Sequence, residues 1–252
     1  MSFSLTSLPQ NYRALVVGGN GAIGAAVLER LGNDARCGAR FAASRTIVNR
    51  PGVEPLKLDL AEPQTIAAAV EAASADGPLH LVFVATGALH SQGSIEPEKS
   101  WRQISADGLM ESYKVNTVLP SLVAQAALPK LARGRKDAPE KAVFAALSAR
   151  VGSVSDNRLG GWHAYRASKA ALNQVIKTCS IELKRKAPHA VCVGLHPGTV
   201  DSALSKPFQR NVPDGKLFTP QYSAERLLSV IDGLDAAQSG KVFDWAGAEI
   251  AP

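Results

Sequence analysis

Apolar positions along the chain fall in short runs separated by segments of helical period. RALVV (13–17), ARFAASR (39–45), VEPLKLDL (53–60), LHLVFVA (79–85), AVFAAL (142–147), HAVCVGL (189–195) and GKVFDW (240–245) read as strands. AIGAAVLERL, PQTIAAAVEAA (63–73), two long stretches at about 106–131 and 162–186, and AERLLSVIDGL (224–234) read as helices. Most of the strand runs are near-continuously apolar, so both faces of the sheet are covered. Strand–helix alternation of this kind predicts an α/β chain: a doubly wound parallel sheet (Rossmann fold) of about seven strands, with helices on both faces. No Pro/Ser-rich linker divides residues 1–252, so one domain is expected.

Composition narrows the partners. With 46% apolar residues the chain can bury a full core, and no apolar stretch approaches the ~20 residues of a membrane helix. Cys37, Cys179 and Cys192 have no metal-ligand spacing. A sparse, odd set of cysteines points to a reducing compartment. The start has no basic segment followed by an apolar run, so a cytoplasmic protein is expected. Net charge is +6, and the densest basic run, 130–141, lacks interleaved aromatics. It reads as a solvated loop and not as a nucleic-acid face. A modest positive field does attract an anionic cofactor.

The first strand runs into VVGGNGAIGAA, with glycines at 18, 19, 21 and 24 and a helix opening behind them. Such a turn lets backbone approach a pyrophosphate, and the helix N-terminus supplies unpaired N–H groups. No Asp or Glu lies between Asp34 and Glu54, and the second strand ends Ala43-Ser44-Arg45. An acid there would hold a ribose 2′-OH; Arg45 instead pairs with a 2′-phosphate. The expected cofactor is therefore NADP(H) over NAD(H).

Tyr165 and Lys169, four apart on the long helix at 162–186, share a face and can meet one reacting centre. A nearby ammonium stabilises a phenolate, which turns an idle phenol of pKa ~10 into a usable general acid or base. Ser148, at the end of the fifth strand, or Ser153 close by, offers a hydroxyl for a substrate carbonyl.

With GGNGAIG (18–24), LDL (58–60), ATG (85–87), KVN ending at Asn116, LS (147–148), YRASK (165–169) and HPGTVDS (196–202) in this order, the chain resembles the short-chain dehydrogenase/reductase family over its full length. Within it the chain looks most like the C-factor and Sniffer-type carbonyl reductases. The resemblance implies roles. Tyr165 would be the acid/base, and Lys169 would tune it and bind the nicotinamide ribose. Asn116 would position the lysine through water. The turn Gly18, Asn20, Gly21, Ala22, Ile23 and Gly24 would hold pyrophosphate, with Ser44 and Arg45 beyond it. Asp59 and Leu60 would meet the adenine. Ala85, Thr86 and Gly87 would line the cofactor, and Pro197, Gly198, Thr199 and Val200 would face the nicotinamide.

Three departures stand out. Ala22 occupies a position where the family commonly has Gly. Ala85 replaces the usual Asn of N-A-G. Many members carry two consecutive serines of which the second is catalytic, and here the pair is Ser148-Ala149.

The implied reaction is hydride transfer between a nicotinamide and a small-molecule carbonyl or alcohol, with no membrane or nucleic-acid partner. Residues at about 200–219 would form a substrate lid carrying Leu204, Phe208, Val212 and Phe218, which serve an apolar substrate or equally the core. The two long helices would make a homodimer or homotetramer. The rival class is a dinucleotide-binding signalling or sensor protein without turnover.

Overall fold

The computed structural model describes residues 3–90, 96–135 and 137–252. In chain order the elements are β1 (Tyr12–Val17), α1 (Ala22–Gly32), β2 (Cys37–Ser44), β3 (Glu54–Lys57), α2 (Gln64–Ala73), β4 (Leu81–Val84), α3 (Ala106–Tyr113) and α4 (Leu119–Ala127). Then come β5 (Ala142–Leu147), α5 (His163–Lys186), β6 (Ala190–His196), β7 (Thr199–Val200), β8 (Leu217–Phe218), α6 (Pro220–Gly233), β9 (Val242–Asp244) and β10 (Glu249–Ile250). One sheet runs β10-β9-β6-β5-β4-β1-β2-β3, and β7 and β8 form a separate pair.

Every pairing from β3 to β9 is parallel; only β10 on β9 is antiparallel. The doubly wound sheet is as expected, with eight strands in place of about seven. The added strand exists because Asp244 accepts hydrogen bonds from Ala246 N and Ala248 N, turning the chain back on β9. A two-residue strand is too short to leave an apolar pattern. Lys136, part of the basic run, lies outside the described residues. Among the described residues no helix is long and apolar enough to cross a membrane.

Strand residues alternate between two cores. Leu15, Val17, Val82, Val84, Phe144 and Ala146 pack on Ile66, Val70, Val123, Leu172 and Ile176 of α2, α4 and α5. Val16, Leu81, Phe83, Val143, Ala145 and Val193 pack on Val27, Leu31, Leu227 and Ile231 of α1 and α6. Strand order reverses between β1 and β4, so the carboxyl ends of these two strands open a crevice, the usual ligand position in such sheets.

The helix expected over 106–131 is interrupted. A π-turn occupies Lys114–Val118, with Asn116 inside it. Pro120 has no N–H to return to the Asn116 carbonyl, which loses its ordinary i+4 partner. Single π-turns of this kind collect at functional positions.

The N-terminal segment is tied down by Asp34, which is 3% exposed. Its carboxylate accepts from Ser4 Oγ, Leu5 N and Tyr12 Oη at 2.9 Å and from Arg36 N at 3.0 Å. Burial pushes this carboxyl up, but those hydrogen bonds outweigh it, and its pKa lies below the ordinary value. Stability from Asp34 is therefore present above the ordinary carboxylate pKa of ~3.9 and is lost as pH falls through the lower folded value. Asp34→Asn should cost about 1–3 kcal/mol in urea unfolding at neutral pH, because the amide strands donors that the carboxylate satisfied.

Candidate functional site

The crevice begins at the glycine turn. Gly18 has φ +84, and a Cβ there would lie 3.1 Å from Thr86 Cγ2 and from the Ala85 carbonyl carbon. On Gly24 a Cβ would sit 2.9 Å from the Gly18 carbonyl carbon and overlap its oxygen. Gly21 is the N-cap of α1; it offers no side-chain cap, and the first turn, Ala22 and Ile23 included, holds no acid. The leading N–H groups of α1 thus face the turn for an anion. Ala22 is half-buried, and its methyl is accommodated. Beside Gly18, Thr86 Oγ1 is buried without a partner among the described residues. A cradle that no side chain can fill, a bare helix N-terminus and an orphaned hydroxyl fit a dinucleotide.

At the rim, Asn20 Nδ2 donates to Ser44 Oγ at 3.0 Å and to Thr46 O at 2.7 Å, which fixes the end of β2. Arg45 is exposed there, and Lys57 Nζ donates to its carbonyl at 3.2 Å. Asp59 accepts from Ala61 N at 3.0 Å and lies 3.5 Å from Lys57 Nζ. Those contacts hold its carboxyl below the ordinary value. Its carboxylate shapes the turn before α2, and Leu60 packs against the core.

Deeper in, four expected residues converge. A Cβ on Gly87 would lie 3.6 Å from Asn116 Oδ1, 3.8 Å from Lys169 Nζ and 3.9 Å from Leu204 Cδ1. Asn116 is locked by a reciprocal pair: Ala88 N donates to its Oδ1 at 2.9 Å, and its Nδ2 donates to Ala88 O at 2.8 Å. Ser112 and Ser168 hydroxyls also lie 3.2 Å from Nδ2. Lys169 Nζ donates to Leu147 O at 2.8 Å and stands 5.8 Å from the centroid of the Tyr165 ring.

Burial acts on both members of the pair. Burial pushes the Tyr165 phenol up to about 12. Burial likewise pushes the Lys169 amine down to about 7. In both groups desolvation disfavours the charged form.

The hydroxyls of both candidate serines have hydrogen-bond partners within the protein. Ser148 Oγ donates to Asn173 Oδ1 at 2.6 Å, and Asn173 Nδ2 lies 3.4 Å from Gly152 O. Ser153 Oγ donates to Pro252 O at 3.3 Å and accepts from Asp156 N at 3.1 Å. Both hydroxyl protons are donated to these partners.

After β6, Pro197 O accepts from Ser223 Oγ at 3.0 Å. Gly198 has φ +76, and a Cβ there would come within 2.5 Å of Phe218 Cε2. Thr199 and Val200 pair with Leu217 and Phe218 as a two-stranded ribbon. Phe218 is buried against Trp245 and Tyr222, with ring centroids 4.6 and 4.9 Å away, so it is packing. Leu204 and Phe208 face the crevice side, the latter 5.2 Å from Trp162 by ring centroids.

Ser112, Ser168, Glu98 and Trp162 bear on the site without having been read from the sequence. The serines lie i−4 from Asn116 and i+3 from Tyr165, a spacing that would have exposed them. Trp162 follows two glycines and stands three residues before the tyrosine. Glu98 is 66 residues from its partner Ala164, and no local pattern betrays it.

A doubly wound sheet, a phosphate cradle at its switch point and a Tyr–Lys pair beside it define a dinucleotide-dependent oxidoreductase fold. The family model for short chain dehydrogenases matches residues 12–213, and the chain belongs to that family. It is 35% identical over 142 residues to the C-signal of Myxococcus xanthus, covering 56% of this chain and 77% of that one. Similarity also extends to the 1-hydroxy-2-glutathionyl-2-methyl-3-butene dehydrogenase of Rhodococcus sp. (strain AD45), at 30% over 204 residues, 81% of this chain and 80% of that protein. Among solved structures, the carbonyl reductase Sniffer of D. melanogaster superimposes with a TM-score of 0.81 at 24% identity, over 96% of this chain and 100% of that one. The NADPH-bound carbonyl reductase from chicken fatty liver gives 0.82 at 24%, over 98% and 97%. The resemblance to C-factor and Sniffer-type reductases is matched by these relatives.

Proposed function

We propose that the protein is an NADP(H)-dependent carbonyl reductase acting on a small-molecule carbonyl, with Tyr165 as general acid in reduction and general base in oxidation. One observation carries this reading: Lys169 Nζ and Asn116 Oδ1 meet at Gly87, while Tyr165 stands 5.8 Å from that amine by ring centroid. When bound, the nicotinamide supplies or accepts the hydride. Gly18, Asn20, Gly21, Ala22, Ile23 and Gly24 hold its pyrophosphate, with Thr86 as an added donor. Ser44 and Arg45 meet the 2′-phosphate, Asp59 and Leu60 border the adenine, Ala85 and Gly87 form the floor, and Pro197 to Val200 back the nicotinamide.

A phenol held up to about 12 is fully protonated at neutral pH, which suits it to give its proton to a carbonyl oxygen that becomes an alkoxide. Lys169, pushed down to about 7, carries only part of a charge at neutral pH and orients the site through Leu147 O. Residues at about 200–219 close over substrate as a lid within one domain, residues 1–252. The helices around 106–131 and 162–186 serve a homodimer or homotetramer, in a cytoplasmic setting.

Oxidation of NADPH by a panel of aldehydes, diketones and quinones, with wild type against Tyr165→Phe, tests the reading. Arg45→Asp should weaken NADPH binding about 10- to 100-fold in a fluorescence titration and leave NADH affinity unchanged or better, since it replaces a charge-assisted bond by repulsion.

A second reading, a dinucleotide-binding sensor without turnover, draws on the committed proton of Ser148. For Ser148 to polarise a substrate it must release Asn173. Ser148→Ala should leave kcat within a few-fold and lower the thermal midpoint, because the serine's work is to hold Asn173. A drop of about 10²-fold in kcat would instead assign it the carbonyl.

A further inference from the structure

We infer that Trp162 is a specificity-determining residue, held in a left-handed backbone by Glu98 so that its indole and Phe208 form an aromatic wall for an aryl carbonyl substrate. The inference rests on the reading of Tyr165 as the acid/base.

The chain enters α5 through three successive left-handed residues. Gly160 has φ +63, Gly161 φ +67, and Trp162 φ +51 with ψ +44. Glycine adopts this conformation freely, and the first two positions comply. A bulky side chain at the third does so only at a conformational cost, which the surroundings must over-determine. Glycine at 162 would relax the backbone, so the indole is retained for what it touches.

Glu98 holds the strained residue. Trp162 N donates to Glu98 O at 2.5 Å, and Ala164 N lies 3.3 and 3.2 Å from the two carboxylate oxygens of Glu98. Glu98 is 6% exposed. The helix has no cap from Trp162 itself and no acid in its first turn, so a carboxylate from a distant loop takes over both tasks. From the other side, Arg166 Nε donates to Gly161 O at 3.0 Å. Tyr165 sits on the turn that these contacts fasten.

The indole then lies 6.3 Å from the Tyr165 ring at 70° and 5.2 Å from the Phe208 ring at 58°. Phe208 in turn meets His90 at 5.8 Å and 67°. These are edge-on and tilted ring geometries from three separate parts of the chain, and all four rings are half-buried. A planar aryl group beside the phenol adds a partner of the same kind; a small aliphatic group does not.

Trp162→Gly and Glu98→Gln test this, with an arylaldehyde and propanal as substrates. In Trp162→Gly, kcat/KM for the arylaldehyde should fall about tenfold or more while that for propanal stays within about threefold. The thermal midpoint should hold or rise, since the backbone is relieved. An aryl ketone should quench tryptophan fluorescence in the wild type, and the Trp162 share of that quench should be lost in the variant. Glu98→Gln keeps one acceptor and should retain part of the aryl preference. Equal loss on both substrates with a lower midpoint would make the indole plain packing and overturn the inference, as would an unchanged aryl preference. If the wild type turns over neither substrate, the reading of Tyr165 fails, and the quench alone decides the wall.

Discussion

Tyr165→Phe should lower kcat for carbonyl reduction by about 10²–10⁴-fold, the range by which a positioned general acid accelerates proton transfer. The substitution keeps the ring, its edge contact to Trp162 and its place on α5, and removes only the proton that the alkoxide receives. NADPH affinity and thermal midpoint should therefore stay near wild type, and the loss should fall on kcat. The pH profile gives a second readout. Burial holds the phenol up to about 12, so it is protonated across neutral pH, and the reductive rate should not fall between pH 6 and 9 for want of this proton. Oxidation of the alcohol needs the phenolate. Below that pKa the phenolate fraction grows tenfold per pH unit, and the oxidative rate should climb with it. In Tyr165→Phe the climb should disappear. A reductive rate indifferent to the hydroxyl would remove Tyr165 from the chemistry, whereas NADPH binding with no turnover of any carbonyl would favour the sensor reading.

What the sequence made legible followed the physics it encodes. AVFAAL at 142–147 coincides with β5, because a six-residue apolar run between breakers has no other way to be buried on both faces. Residues 162–186 coincide with α5 to within one residue at the start. The glycine turn was legible because a close approach excludes side chains, and composition records exclusion directly. The break at Lys114–Val118 was not read, although Pro120 announces it four residues beyond Asn116. Spacing alone brought Tyr165 and Lys169 onto one face, but it carries no information about the desolvation that acts on both groups. The partner of Ser148, Asn173, lies 25 residues on, beyond the reach of any local pattern. Glu98 is the clearest case: its bond to the start of α5 spans 66 residues and exists only in three dimensions.

Gly24→Val should abolish dinucleotide binding. The first methyl of any side chain at 24 would overlap the Gly18 carbonyl oxygen, lie 2.9 Å from its carbon and 3.1 Å from Gly19 Cα. These are backbone atoms and have no rotamer by which to withdraw. Gly18 is itself pinned: its N–H donates to Ala43 O at 2.8 Å, and its carbonyl accepts from Gly21 N at 3.0 Å. The strain is therefore relieved by lifting α1 away from the turn, which moves the leading N–H groups off the anion position. Val27 and Leu31 of that helix belong to the core, so the lift should also cost about 1–3 kcal/mol of stability. Saturating NADPH, at about a hundred times its Kd, should stabilise the wild type by about 2.7 kcal/mol and the variant by nothing measurable. Gly21→Ala is the matched control. Its Cβ would stand 3.4 Å from the same oxygen, an ordinary contact, and NADPH should still raise its thermal midpoint. Equal behaviour of the two variants would place the anion somewhere other than the N-terminus of α1, because only Gly24 closes that approach.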